Sequence, residues 1–288
     1  MRDMLTSPRI IEMRHNRRVR NFRLSILFFI LLITIIGAAS YFSGDKHVVI
    51  ENINIKGNKI IDKIDIESII FKDISGKYFH LFARSNSFIY PHGQIYNDLI
   101  SNFPRIKTLS INRDGLKSLN IEITERYGSF LFCGPSIPTN KDDIGDNCYF
   151  INSDGYIFDK APYFSGNVYF KYYGKIEGEE TDPLGKQMMN INSFHKLSGF
   201  IDGISAIGFN PISIEVGQDG INNLYLSHKS ADTTPKIIFK NDNDFDLIKD
   251  NLALAMKKKE FAEEINSKYN TLLYIDLKFN NKVLYKFQ

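Results

Sequence analysis

The sequence predicts an α+β protein with three parts: an N-terminal transmembrane helix, a small β-α-α-β-β unit, and a mostly antiparallel β domain with two flanking helices. Three observations carry this. Leu24 to Phe42, "LSILFFILLITIIGAASYF", is a run of 19 residues without a charge. Between Val49 and Arg126 the apolar period switches from 2 to 3.6 and back to 2. From Tyr127 onward, short β-rich runs are spaced by Gly, Asn, Asp and Pro. The expected divisions are a basic tail (1–23), the membrane helix (24–42), the β-α-α-β-β unit (43–126) and the β domain (127–288).

The apolar run is long enough to cross about 30 Å of hydrocarbon as a helix. Arg2, Arg9, Arg14, Arg17, Arg18, Arg20 and Arg23, against Asp3 and Glu12, give the first 23 residues a charge of +5, out of +3 for the whole chain. The remaining residues therefore carry −2. That excludes a global nucleic-acid-binding surface and orients the helix with its N-terminus in the cytoplasm. The Arg-rich tail suits topology and attraction to anionic lipid. Gly37-Ala38-Ala39-Ser40 would also suit a cleaved signal peptide, but the run exceeds the usual 7–15-residue signal core.

After the helix, "VVIENINIKGNKI" alternates as a strand and ends at the turn-formers Gly57-Asn58. "IDKIDIESIIF" places Ile61, Ile64, Ile69 and Ile70 close to helical spacing, with Asp62 as its cap. "PHGQIYNDLISNF" is a second helix with Ile95, Leu99 and Phe103 on one stripe, stopped by Pro104. "RIKTLSIN" and "SLNIEITER" form a strand pair across "RDGLK", with Leu119, Ile121 and Ile123 on one face. Beyond Tyr127 the expected strands are "GSFLFC", "CYFINSDGYIF", "NVYFKYYG", "ISAIGFN", "ISIEVG", "NNLYLSH" and "KIIFKN". One helix is expected over about Gly185 to Ile201. Another starts near Asp244, with Phe245, Ile248, Leu252 and Met256 on one stripe and Lys257, Lys258 and Lys259 at its dipole-favoured end. "KIEGEETDPLGK" reads as a solvated loop.

The two cysteines, Cys133 and Cys148, fall on the exported side, where a disulfide could persist. They bracket the polar loop "GPSIPTNKDDIGDN". A bridge would close a loop of roughly 15 residues, worth about 3 kcal/mol; two unpaired thiols are the alternative. No reaction is specified. The histidines at 15, 47, 80, 92, 195 and 228 lack close metal-ligand spacing, and His195 reads as a surface residue of a helix. "GISAIG" is not G-x-S-x-G. Asp142, Asp143 and Asp146 lack a calcium-loop pattern. No catalytic residue, metal site or cofactor is expected.

Near Gln288, "YIDLKFNNKVLYKFQ" reads as a hairpin. Ile275, Leu277 and Phe279 alternate with polar residues, Asn280-Asn281 forms a tight turn that would pair Leu277 with Leu284, and Val283, Leu284 and Tyr285 resume the strand. Neither face is cleanly apolar. A strand edge left open there is a liability unless it is covered or used.

In this order of parts, the chain from Arg14 onward resembles the FtsQ/DivIB family of bacterial cell-division proteins, which combine a basic cytoplasmic tail, one membrane helix, a POTRA domain and a β-rich domain. "IENINIKGNKII" looks like the first POTRA strand and its turn, and "FPRIKTLSINRDGLKSLNIEITER" like the closing strand pair. "YFINSDGYIFDKAP" looks like a family stretch with Asn152 in place of Asp, and Tyr127-Gly128 stands where Pro is usual. "YIDLKFNNKVLYK" is similar to the last two strands. The resemblance implies a non-enzymatic single-pass scaffold of the inner membrane and division septum. It would contact FtsB- and FtsL-like bitopic proteins and, through them, the septal peptidoglycan synthase. Its implied partner-binding residues are Phe279, Asn281, Val283, Tyr285 and Phe287, with docking by β-augmentation. Two other classes are a membrane-anchored envelope enzyme or saccharide-binding protein, and an outer-membrane assembly factor containing POTRA domains.

Overall fold

The computed structural model describes residues 8–138, 147–176, 182–227 and 234–288. Arg2, Asp3, Asp142, Asp143, Asp146, His228 and part of the "KIEGEETDPLGK" segment lie outside the described residues. The chain divides into two units: one runs to Ile100 and includes Thr108–Thr124, and the other comprises Ser101–Lys107 and Glu125–Gln288.

The first unit opens with α1 (Pro8–Ser43). Its Asn16–Ser43 stretch is long and apolar enough to cross a membrane, and its apolar window is unburied. Next come β1 (Asn52–Lys56), α2 (Lys63–Ile74), a small hairpin of β2 (Lys77–Tyr78) and β3 (Phe82–Ala83), and α3 (His92–Asn102). β4 (Ile106–Asp114) and β5 (Ser118–Glu125) complete a sheet ordered β1-β5-β4, with β1 parallel to β5. Leu119, Ile121 and Ile123 are buried, as their alternation predicts, and so are Ile95 and Leu99 of α3. At Gly57 the chain turns with φ +87°, and a Cβ there would stand 2.0 Å from the Ile123 carbonyl oxygen, so only glycine fits.

Two details of α2 differ from expectation. Its buried stripe is Ile66, Ile70 and Ile74, whereas Ile64 is exposed. Ile66, Ile70 and Ile74 stand four apart and share one helical face, on which Ile64 does not lie. Asp62 occupies the N-cap position, but its side chain makes no capping bond.

Among the described residues the second unit holds one nine-stranded sheet, ordered β14-β13-β12-β11-β10-β9-β6-β7-β8. Its strands are β6 (Phe130–Phe132), β7 (Tyr149–Ile151), β8 (Ile157–Lys160), β9 (Lys171–Gly174), β10 (Pro211–Val216), β11 (Ile221–Leu226), β12 (Lys236–Lys240), β13 (Leu272–Asp276) and β14 (Leu284–Phe287). The mostly antiparallel expectation holds, with three parallel exceptions: β6–β9, β9–β10 and β12–β13. Two of these follow from the connections. α4 (Ile191–Ile207) links β9 to β10, and α5 (Phe245–Lys257) with α6 (Lys259–Ser267) links β12 to β13. A helical crossover returns the chain in the same direction, so the joined strands run parallel.

Among the described residues three helices flank this sheet, not two. The predicted strand "ISAIGFN" is mostly the last turns of α4, which begins at Ile191 rather than Gly185. Phe194, Leu197, Phe200, Ile201 and Ile204 are buried at helical spacing, and this continuous stripe outweighs the β propensity of the isoleucines. Asn190 caps the start by accepting from the Asn192 N–H, and Gly208, at φ 111°, ends the helix in the left-handed region. The lysine run ends α5, as expected, and also joins it to a further helix. Asp244 accepts from the Leu247 N–H at the start of α5, Lys258 separates the two helices, and α6 buries Ile265. The core sits between helices and sheet, with Phe194, Phe239, Ile214, Leu224, Ile237 and Leu252 fully enclosed.

Candidate functional site

The β12–α5–α6–β13 crossover determines which strand lies at the margin. It places β13 beside β12, and the chain then folds back outward as β14, the terminal strand of the sheet order. On its far side no strand pairs with it among the described residues. An edge strand carries a row of main-chain donors and acceptors directed away from its one neighbour.

The hairpin differs from the two-residue turn expected at Asn280-Asn281. Asp276 pairs with Leu284 and Ile275 with Tyr285, leaving seven residues, 277–283, as the connection. Leu277 does not pair with Leu284. Its N–H donates to the Ile238 carbonyl (2.8 Å) and its side chain is buried, so β12 and the core claim it. The loop is pinned through Asn280. Its Oδ1 accepts from Asn243 Nδ2 (2.7 Å) and its carbonyl from Asn251 Nδ2 (2.6 Å).

The five residues implied by resemblance fall into two groups. Phe279, 52% exposed, and Asn281 lie in the loop. Val283 and Phe287 are half-buried against the core, and Tyr285 turns to α6. The Tyr285 ring meets Phe261 edge-on at 5.1 Å and lies 5.6 Å from Phe287, while Lys268 Nζ sits 5.4 Å from the Phe287 ring. Tyr285 Oη donates to Glu264 Oε2 (2.6 Å). That bond, followed by Lys268, holds the Glu264 carboxyl below its ordinary range, and the same carboxylate pushes the Tyr285 phenol up.

Leu284, 47% exposed, joins this edge without having been anticipated. The α6 contributors Phe261, Glu264 and Lys268 were missed as well. Phe261 and Ile265, like Glu264 and Lys268, stand four apart, a helical spacing that could have revealed them.

Two other features of the second unit bear on chemistry. Cys133 and Cys148 are joined by a disulfide, S–S 2.05 Å, beside β6 and β7. An open cleft of about 520 Å³ is lined by His195, Lys196, Asn241, Asn243 and Asp244. His195 is half-exposed on α4, with Nε2 3.0 Å from Asp154 Oδ1. In the β7–β8 connection, Asn152 has a structural part: its Oδ1 accepts from the N–H groups of Asp154 (3.0 Å) and Tyr156 (2.9 Å).

Fold and edge together define a mixed α+β protein with an N-terminal apolar helix and a large sheet that ends on an open, partly apolar strand. Compared with known proteins, the chain matches no family model and no curated sequence.

Proposed function

We propose that the protein is a non-catalytic, single-pass scaffold of the bacterial division machinery. In this reading α1 anchors it in the inner membrane with the Arg-rich tail in the cytoplasm, the first folded unit is a POTRA domain, and the remainder works outside the membrane at the septum. The observation that carries the proposal is the open edge of β14. A bitopic partner of the FtsB or FtsL kind would add an extended strand there, its main chain completing the ladder. Phe279, Asn281, Val283, Tyr285 and Phe287, now with Leu284, would flank that strand and supply selectivity. Through this partner the scaffold would reach the septal peptidoglycan synthase. The resemblance in order of parts supports the assignment, as does the spanning length of α1.

Co-expression with FtsB- and FtsL-like proteins and affinity capture tests the docking. Leu284→Lys should reduce capture by about tenfold, the equivalent of one lost apolar contact, while leaving the melting temperature nearly unchanged. Deleting residues 282–288 should abolish capture. Capture that survives the deletion in a folded protein would refute the edge, and a fluorescent fusion that does not concentrate at midcell would refute the division role.

A further inference from the structure

We infer that the turn joining β2 and β3, centred on Phe79, is a second membrane-contacting element, seated in the lipid headgroup layer beside the end of α1. The inference rests on the anchor reading of α1 and extends it to a segment 36 residues beyond the helix end at Ser43.

The turn is built in a costly way. Phe79 and His80 have φ of 50° and 61°, the non-glycine residues with positive φ among those described. Glycine takes such angles freely, whereas a phenylalanine does so against steric repulsion. Leu81 N–H closes the turn onto the Tyr78 carbonyl at 2.9 Å. The result is to hold the Phe79 ring outward, 89% exposed. It is the most exposed large apolar side chain among the described residues, and Tyr41, in the last turn of α1, follows at 81%. Contact with protein does not offset the strain, but contact with lipid would.

The depth of the turn is set by hydrogen bonds to α1. Ser40 Oγ donates to the Leu81 carbonyl (2.7 Å), the Ala83 N–H donates to Ser43 Oγ (3.1 Å), and Asn86 Nδ2 donates to the Ser43 carbonyl (2.8 Å). Ser40 lies inside the apolar run, two residues or roughly 3 Å of helix rise before its end at Phe42. A bilayer that covers the run must therefore reach the level of Leu81. The exposed rings of Tyr41 and Phe42 mark that level as an aromatic belt. Exposed Lys46 and Lys77 nearby in sequence suit phosphate headgroups. An apolar tip two residues after a lysine, tied to the end of a spanning helix, is the chemistry of an interfacial contact, and the partner it fits is a lipid surface.

The chain contains no tryptophan, so one introduced indole reports alone. The full chain would be reconstituted in vesicles of phosphatidylcholine and phosphatidylglycerol brominated at shallow or deep acyl positions. Phe79→Trp should show blue-shifted emission and about twofold quenching, stronger from shallow bromines than from deep ones. Phe29→Trp, in the middle of the apolar run, should be quenched best by deep bromines. If Phe29→Trp is quenched while Phe79→Trp emits as in water, the anchor stands and the inference is overturned. If neither is quenched, the anchor reading falls and the inference with it. Leu81→Trp reads the same depth should the first variant misfold.

Discussion

Tyr285 and Glu264 show how one contact couples strand to helix. The carboxylate of Glu264 titrates below its ordinary value near 4.5, held there first by the Tyr285 hydroxyl and then by Lys268 at 3.1 Å. A depressed carboxyl contributes stability that is fully present above its unfolded value and is lost as pH falls through the folded one. Tyr285→Phe should move the Glu264 titration, followed by carbon-detected NMR, up toward 4.5 while leaving it short of that value because Lys268 remains. Asp73 in α2 has the opposite sign. Burial, then the Asp98 carboxyl beside it, raise its pKa, and Oδ2 is buried without a hydrogen bond. Stability from this group is greatest at low pH and falls as pH rises through the raised value. Asp73→Asn should therefore stabilise the protein by about 1 kcal/mol at pH 7 and flatten the pH dependence of its urea midpoint.

Among the elements, α4 does most to organise the sheet. It makes the β9–β10 crossover and packs Phe200 against Phe239 of β12 and Phe245 of α5, at 4.7 and 5.1 Å between ring centres, while those two rings meet each other at 5.5 Å. Removing that ring leaves a cavity within a three-ring cluster of the core. Phe200→Ala should destabilise the protein by about 3–5 kcal/mol in equilibrium unfolding. At β14 the consequences of substitution divide by face. Odd-numbered side chains pack toward α6 and the core, so their loss would disturb the fold as well as any docking. Leu284 lies on the open side, which makes it the cleaner probe of the edge.

For the whole molecule, the disulfide fastens β6 to the approach of β7 across a sequence separation of 15. It shortens the unfolded chain's freedom within one unit. Cys133→Ser combined with Cys148→Ser should lower stability by about 3 kcal/mol, read as a fall in the urea midpoint equal to that produced by reducing the native chain. This expectation belongs with an oxidising location outside the membrane, which the proposed anchoring provides.

Much of this organisation was legible in residue order. The uncharged run from Leu24, the alternation of Leu119, Ile121 and Ile123, the stripe of Ile95 and Leu99, and the helix starting near Asp244 each follow a local pattern, which sequence neighbours determine by themselves. The failures occurred where distant groups compete. Ile204 reads as strand until Leu197, Phe200 and Ile201 are seen to share its buried face. Asn280-Asn281 reads as a two-residue turn until Ile238 claims the Leu277 N–H. No local rule places Ser40 against Leu81, and so none reveals why Phe79 stands exposed. The amino-acid sequence by itself determined the apolar helix, most strands and the mixed α+β class, because these follow from periodicity. Only the tertiary structure decided which strand became the edge, because that depends on two helical crossovers and on which partners win the few buried main-chain groups.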